Sequence, residues 1–132
     1  MTYNALTLQY FETAPGAGVL GGSGVYRGAA GDRTQGTWVQ FDVQVDPGTI
    51  RAASFLAFGC PHTIAVSAWV AEHTVGHQVS ASCLPESVQR LSERFAVPIE
   101  KRGRLLIVED AWLAALAAAL QRPLSNSPGD SI

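Results

Sequence analysis

The sequence predicts an α+β domain in which a small antiparallel sheet is covered on one face by helices. Three observations carry this. Thr37, Val39, Phe41, Val43 and Val45 alternate with Trp38, Gln40, Asp42 and Gln44, which is the period of a half-buried strand with one apolar and one largely wet face. Asp46-Pro47-Gly48 then supplies a turn into a second apolar run over 49–58, giving a hairpin and hence antiparallel pairing. Stretches of helical spacing stand before and after this hairpin, with no strand-helix-strand alternation.

The elements follow in chain order. Tyr3, Leu6, Tyr10 and Phe11 predict a short amphipathic helix over 3–12. Between Pro15 and Gly36 eight glycines raise the entropic cost of any regular helix, so this segment reads as loop with a first strand around 24–28. After the hairpin, Pro61 at a first helical position opens a helix that Gly76 ends. A further helix is expected over 85–96, where Val88, Leu91 and Phe95 share a face and Pro98 stops it. The last helix, 104–121, is apolar on nearly every side and reads as packed deep in the domain. These elements make one domain over 1–122; residues 123–132 have no periodic apolar positions and read as a disordered tail.

Composition narrows the functions. At 132 residues, 47% hydrophobic and 15% charged, the chain can bury a sizeable core and is not a disordered polymer. A formal charge of -2 offers no general attraction to phosphate backbones or anionic lipid, so neither nucleic acid nor membrane is an expected partner. The N-terminus lacks a basic region followed by a long apolar one, and the cytoplasm is the expected compartment. There Cys60 and Cys83 would remain thiols rather than a disulfide.

Most local motifs have ordinary explanations. Gly16-Ala17-Gly18-Val19-Leu20-Gly21 fits G-x-G-x-x-G, but a helix precedes it and more glycines follow, so the strand and helix that would hold a dinucleotide are missing. His73 and His77 have the spacing of a ligand pair, yet Gly76 between them marks a helix end and places His77 outside. Cys60 carries more. It stands between an expected strand and helix, where the helix N-terminus favours a thiolate, and His62 lies two residues on. Alkylation is therefore expected to be faster at Cys60 than at Cys83, which has no polar constellation near it.

Ordered blocks along the chain resemble one known family. Tyr3-Asn4, Pro15-Gly16-Ala17-Gly18, Ala30-Gly31-Asp32, Val39-Gln40-Phe41, Ile50, Ala53-Ser54-Phe55, Phe58-Gly59-Cys60, Ile64-Ala65 and Glu109-Asp110-Ala111 are similar to the NifU/IscU iron-sulfur scaffold family. The resemblance implies a three-stranded sheet. It also implies a site: the family holds a cluster with three cysteines, an aspartate beside the first and a histidine beside the third. Here Cys60 stands at the middle cysteine and Asp32 at the aspartate, while Ala30 replaces the first cysteine and Gly103 and Arg104 replace the histidine-cysteine pair. The family's chaperone-recognition run appears as Val97-Pro98-Ile99-Glu100-Lys101, with its second proline and valine replaced.

Iron-sulfur clusters normally take four ligands, mostly thiolates. One chain offers Cys60, Asp32 and His62. Either a cluster bridges two chains in a homodimer, or the chain uses the scaffold fold differently. The resemblance implies a non-enzymatic assembly protein that binds iron or a labile cluster, or accepts sulfur, through Cys60. Its partners would be a cysteine desulfurase-like sulfur donor and acceptor apo-proteins. The alternative is an interaction module that keeps the docking surface and binds no metal. A Cys60 nucleophile with His62 as base is less favoured, because no third residue is evident to orient the imidazole. Arg104, a cation at the start of a helix, is expected to be compensated by an ion pair with Asp32.

Overall fold

The computed structural model describes residues 3–81 and 84–125. The chain runs α1 (Ala5–Thr13), β1 (Val25–Asp32), β2 (Thr37–Val45), β3 (Ile50–Phe58), α2 (Pro61–Thr74), α3 (Val88–Arg94) and α4 (Arg102–Ser125), with short 3-10 turns at Arg33–Gln35, Val79–Ala81 and Ile99–Lys101. The three strands form one antiparallel sheet in the order β1-β2-β3. α4 lies across β1 and β2, α2 lies across β3, and α1 packs on α2. The expected α+β class and the helix-covered sheet are what the chain adopts.

The hairpin explains itself. Val39, Phe41 and Val43 are fully buried, and the Phe41 ring meets Trp112 of α4 edge-on with centroids 5.2 Å apart. Two expectations for β2 need correction. Val45 is only partly buried at the strand end, where the pairing register shifts. Asp42, expected on the wet face, is 1% exposed. Its carboxylate accepts from Arg27 Nε at 2.7 Å and from the Leu20 backbone N–H at 3.0 Å. The glycine-rich segment is therefore laid over the outer face of the sheet, which alternation alone does not reveal. The same segment pairs with the free edge of β3, where Gly18 N–H donates to Phe55 O and Phe55 N–H to Gly16 O.

The first strand is longer than 24–28. It reaches Asp32 through Gly28 and Gly31, which a glycine tally reads as loop. A Cβ on Gly28 would stand 2.1 Å from Ala115 N, so glycine here lets α4 approach the strand. α4 itself is longer than the expected 104–121 and is not apolar core on every side. Leu105, Val108, Trp112, Ala115 and Ala119 are buried, whereas Leu106, Leu113 and Leu120 are exposed. Laid across β1 and β2, the helix turns one face to the sheet and the other to solvent. Its final residues, to Ser125, extend past the expected start of the tail, and 126–132 lie outside the described residues.

The remaining helices are set by their caps. Asn4 accepts from Thr7 N–H to open α1 two residues later than the spacing suggests. Ser87 caps α3, which is shorter than 85–96 and ends before Ala96 at φ 55°. Gly76 follows α2 at φ 97°, a left-handed position, so His77 stands beyond the helix while His73 Nδ1 meets Trp69 O. Tyr10 ties α1 to α2 through its hydroxyl, which donates to Glu72; burial first, then that carboxylate, push the phenol up to about 12.

Candidate functional site

The site forms where β3 hands the chain to α2. Gly59 leaves the sheet, Cys60 takes an extended conformation at φ -80° and ψ 170° as N-cap, and Pro61 starts the helix. Ile64 N–H returns to Cys60 O at 3.2 Å, which closes the first turn. The side chain of Cys60 is thereby held over the N-terminus of a 14-residue helix. Its sulfur lies 3.7 Å from Thr63 Oγ1. A Cβ on Gly59 would press within 3.1 Å of Thr63, so the glycine leaves that hydroxyl its place.

Burial pushes the Cys60 thiol up, but the opposing effects prevail and its pKa lies below the ordinary value. The Thr63 backbone N–H and hydroxyl act most strongly, followed by the Arg104 guanidinium and the His62 backbone N–H. The sequence pointed to Cys60 through the helix end. It missed Thr63, whose signal was its spacing, three residues after an N-cap.

Arg104 approaches this sulfur from the first turns of α4. The expected ion pair with Asp32 does not form. Asp32 instead caps the adjoining 3-10 turn, accepting from Thr34 N–H at 2.9 Å and Thr34 Oγ1 at 2.8 Å, and these bonds hold its carboxyl below the usual range. The exposed Asp32 carboxylate has Thr34 within two residues, while the Arg104 charge acts on the Cys60 thiol at the neighbouring helix end. Asp32 and Arg104 nevertheless line one hollow of about 330 Å³, with Gly31, Gly103 and Glu100. Ala30 is partly buried against the core, and a side chain at Gly103 would meet open space.

His62 is 2% exposed, with the Tyr3 ring edge-on at 4.8 Å. Neither ring nitrogen has a hydrogen-bond partner. Burial, then the charges of Lys101 and Arg104, lower its pKa, so the imidazole is neutral at pH 7. The structure thus gathers Cys60, His62 and Arg104 where α2 and α4 begin, and sets Asp32 apart on its turn. Among the described residues no three of His, Cys, Asp and Glu are grouped to hold a metal ion. Cys83 lies outside the described residues, and no helix among them is long and apolar enough to cross a membrane.

Fold and site together define an α+β scaffold-type domain carrying, at a strand-to-helix junction, a cysteine whose pKa lies below the ordinary thiol value. The chain belongs to the family of NifU-like N-terminal domains, whose sequence model matches residues 2–125. Solved structures share the fold. A NifU-like protein (N-terminal) from Brucella abortus superimposes with a TM-score of 0.59 at 13% identity, covering 94% of each chain. A protein described as an iron-sulfur cluster assembly scaffold for the SUF system, from Fervidobacterium islandicum AW-1, gives 0.55 at 12% identity, covering 89% of this chain and 93% of that one. A hypothetical protein gives 0.59 at 19% identity, over 88% and 95%. No curated protein matches the sequence.

Proposed function

We propose that this protein serves iron-sulfur cluster assembly as a sulfur acceptor. Family membership supports the process, and one observation supports the role: Cys60 caps the start of α2 with its sulfur 3.7 Å from Thr63 Oγ1, where Thr63 and Arg104 lower its thiol pKa. In this reading Cys60 Sγ attacks the outer sulfur of a persulfide on a cysteine desulfurase-like donor. The donor's S–S bond breaks, its thiolate leaves, and Cys60 carries the sulfur as a persulfide to an acceptor apo-protein. Iron or a labile cluster could draw on Cys60 and His62, with Asp32 swinging from its turn, but one chain then supplies a single thiolate. A second copy would have to complete the set.

Anaerobic incubation with a cysteine desulfurase and cysteine should add the mass of one sulfur atom to the chain, reversibly by reductant and not in Cys60→Ser. Reconstitution with iron and sulfide, read by absorbance and metal counting, separates the metal role. One cluster per chain in wild type and in Cys60→Ser alike would overturn the assignment of this pocket.

A further inference from the structure

On the side of α4 turned away from the sheet, the exposed positions are Gly103, Leu106, Asp110, Leu113, Ala117 and Leu120. Their spacing alternates three and four, the period of a seam between two helices, and leucine returns at every seventh residue. These leucines are 51%, 43% and 46% exposed. Over 103–120 the strip runs for about 26 Å at roughly 1.5 Å per residue, a continuous stripe rather than scattered surface residues. Two carboxylates stand at its middle, Asp110 in the stripe and half-buried Glu109 beside it. Every residue three or four positions from either is apolar, so neither has a cation within reach along its own helix. Among the described residues neither takes part in an ion pair. Unpaired negative charge among leucines decides between occupants. A second copy packed on this strip would bring Asp110 and Glu109 towards their own copies, directly opposite in a parallel pair and around the twofold axis in an antiparallel pair centred on the strip. A helix with basic side chains at its middle would meet them with opposite charge.

We infer that this face of α4 docks an amphipathic helix of a partner protein, one with apolar residues at the same three-four spacing and lysine or arginine near the middle of its seam. Gly103 and Ala117, the small residues between the leucines, leave room for large side chains of the partner, and the three leucines enter the spaces between those. The two carboxylates select the occupant. They pair with its cations, and they repel an acidic helix and a second copy alike. One helix face of about five turns is smaller than the roughly 800 Å² a side of a standard interface, so the contact belongs to the transient class. The strip takes no part in the Cys60 chemistry, and the inference stands apart from the sulfur-acceptor reading.

The test titrates the full chain into fluorescein-labelled helical peptides held at nanomolar concentration and reads anisotropy. One peptide carries leucine at the seam positions of three heptads and lysine at the positions flanking its middle; its twin carries glutamate there. Wild type should bind the lysine peptide, and should bind the glutamate peptide about fivefold more weakly, the range of exposed ion pairs. Leu113→Gln should weaken binding of the lysine peptide about tenfold, as the loss of a leucine's buried area predicts. Because Leu113 is exposed, that variant keeps the core, and its thermal melt should match wild type. Glu109→Lys/Asp110→Lys should reverse the preference and bind the glutamate peptide more tightly. Binding of neither peptide, or binding of the lysine peptide untouched by Leu113→Gln, would overturn the docking surface. Equal affinity for the two peptides would overturn the basic partner. Concentration-dependent dimerisation of the chain, abolished by Leu113→Gln, would give the strip to a second copy and overturn the inference as well.

Discussion

At the scale of single residues, two paired charges carry the chemistry and the stability. Arg104 lowers the Cys60 pKa, so Arg104→Gln should move the inflection of the alkylation-rate profile to higher pH and slow alkylation at pH 7. Stopped-flow iodoacetamide kinetics would read this, and an unmoved profile would remove Arg104 from the thiolate's support. Arg27 and Asp42 form the second pair. Burial raises the Asp42 carboxyl, but the Arg27 hydrogen bond, the Leu20 N–H and the Arg27 charge prevail and lower it. A depressed carboxylate contributes stability above its unfolded pKa, and that contribution is lost as pH falls through the folded value. Arg27→Leu strands a buried carboxylate and should lower stability at pH 7, seen as a lower urea midpoint. The difference from wild type should shrink as pH drops through the carboxylate range in urea titrations, because Asp42 is then neutral in both. Neither partner was legible as a pair: Asp42 reads as a wet-face residue by alternation, and Arg27 sits among glycines.

At the scale of elements, the glycines of β1 decide how closely α4 can lie. Gly28→Ala would place a methyl within 2.1 Å of Ala115 N and 2.4 Å of Ala114 C, both backbone atoms of a helix that cannot bend away cheaply. We expect a loss of about 3 kcal/mol, the upper range for overpacking, seen as a lower urea midpoint. Gly103→Ala, with nothing within 4 Å of the added carbon, is the control and should be neutral or slightly stabilising. A null effect at Gly28 would mean that α4 does not rest on β1. Strand alternation and the Pro61 and Gly76 signals made β2 and α2 readable, because local chemistry sets them. Only the start of β1 was readable from the sequence, and its extension to Asp32 was not, because Gly28 answers to a helix more than 80 residues later, a contact that no local pattern encodes.

At the scale of the whole molecule, the frame and the ligand set rest on very different numbers of residues. The frame depends on many weak burial contacts spread over the chain, so family blocks remained recognisable and the α+β fold followed from them. The ligand set depends on a few side chains, and the family resemblance sets Ala30, Gly103 and Arg104 at positions where a cluster would call for thiolates and an imidazole. Cys60 was legible from its place before a proline. The partner of Arg104 was not, since a charge can turn either to Asp32 or to Cys60 and only packing chooses. If the frame is intact, restoring the thiolates should restore the site. Ala30 has a small side chain packed partly against the core, and cysteine adds little volume there. Arg104→Cys removes the cation and supplies a second thiolate beside Cys60. The double variant Ala30→Cys/Arg104→Cys should therefore take up iron and sulfide on anaerobic reconstitution, with the visible absorbance of a cluster and more iron per chain than Arg104→Cys alone, while wild type takes up least. Cys60→Ser in the double-variant background should abolish that gain. A folded double variant with no more iron than wild type would show that the strand end, the α2 cap and the α4 start no longer converge at cluster distance.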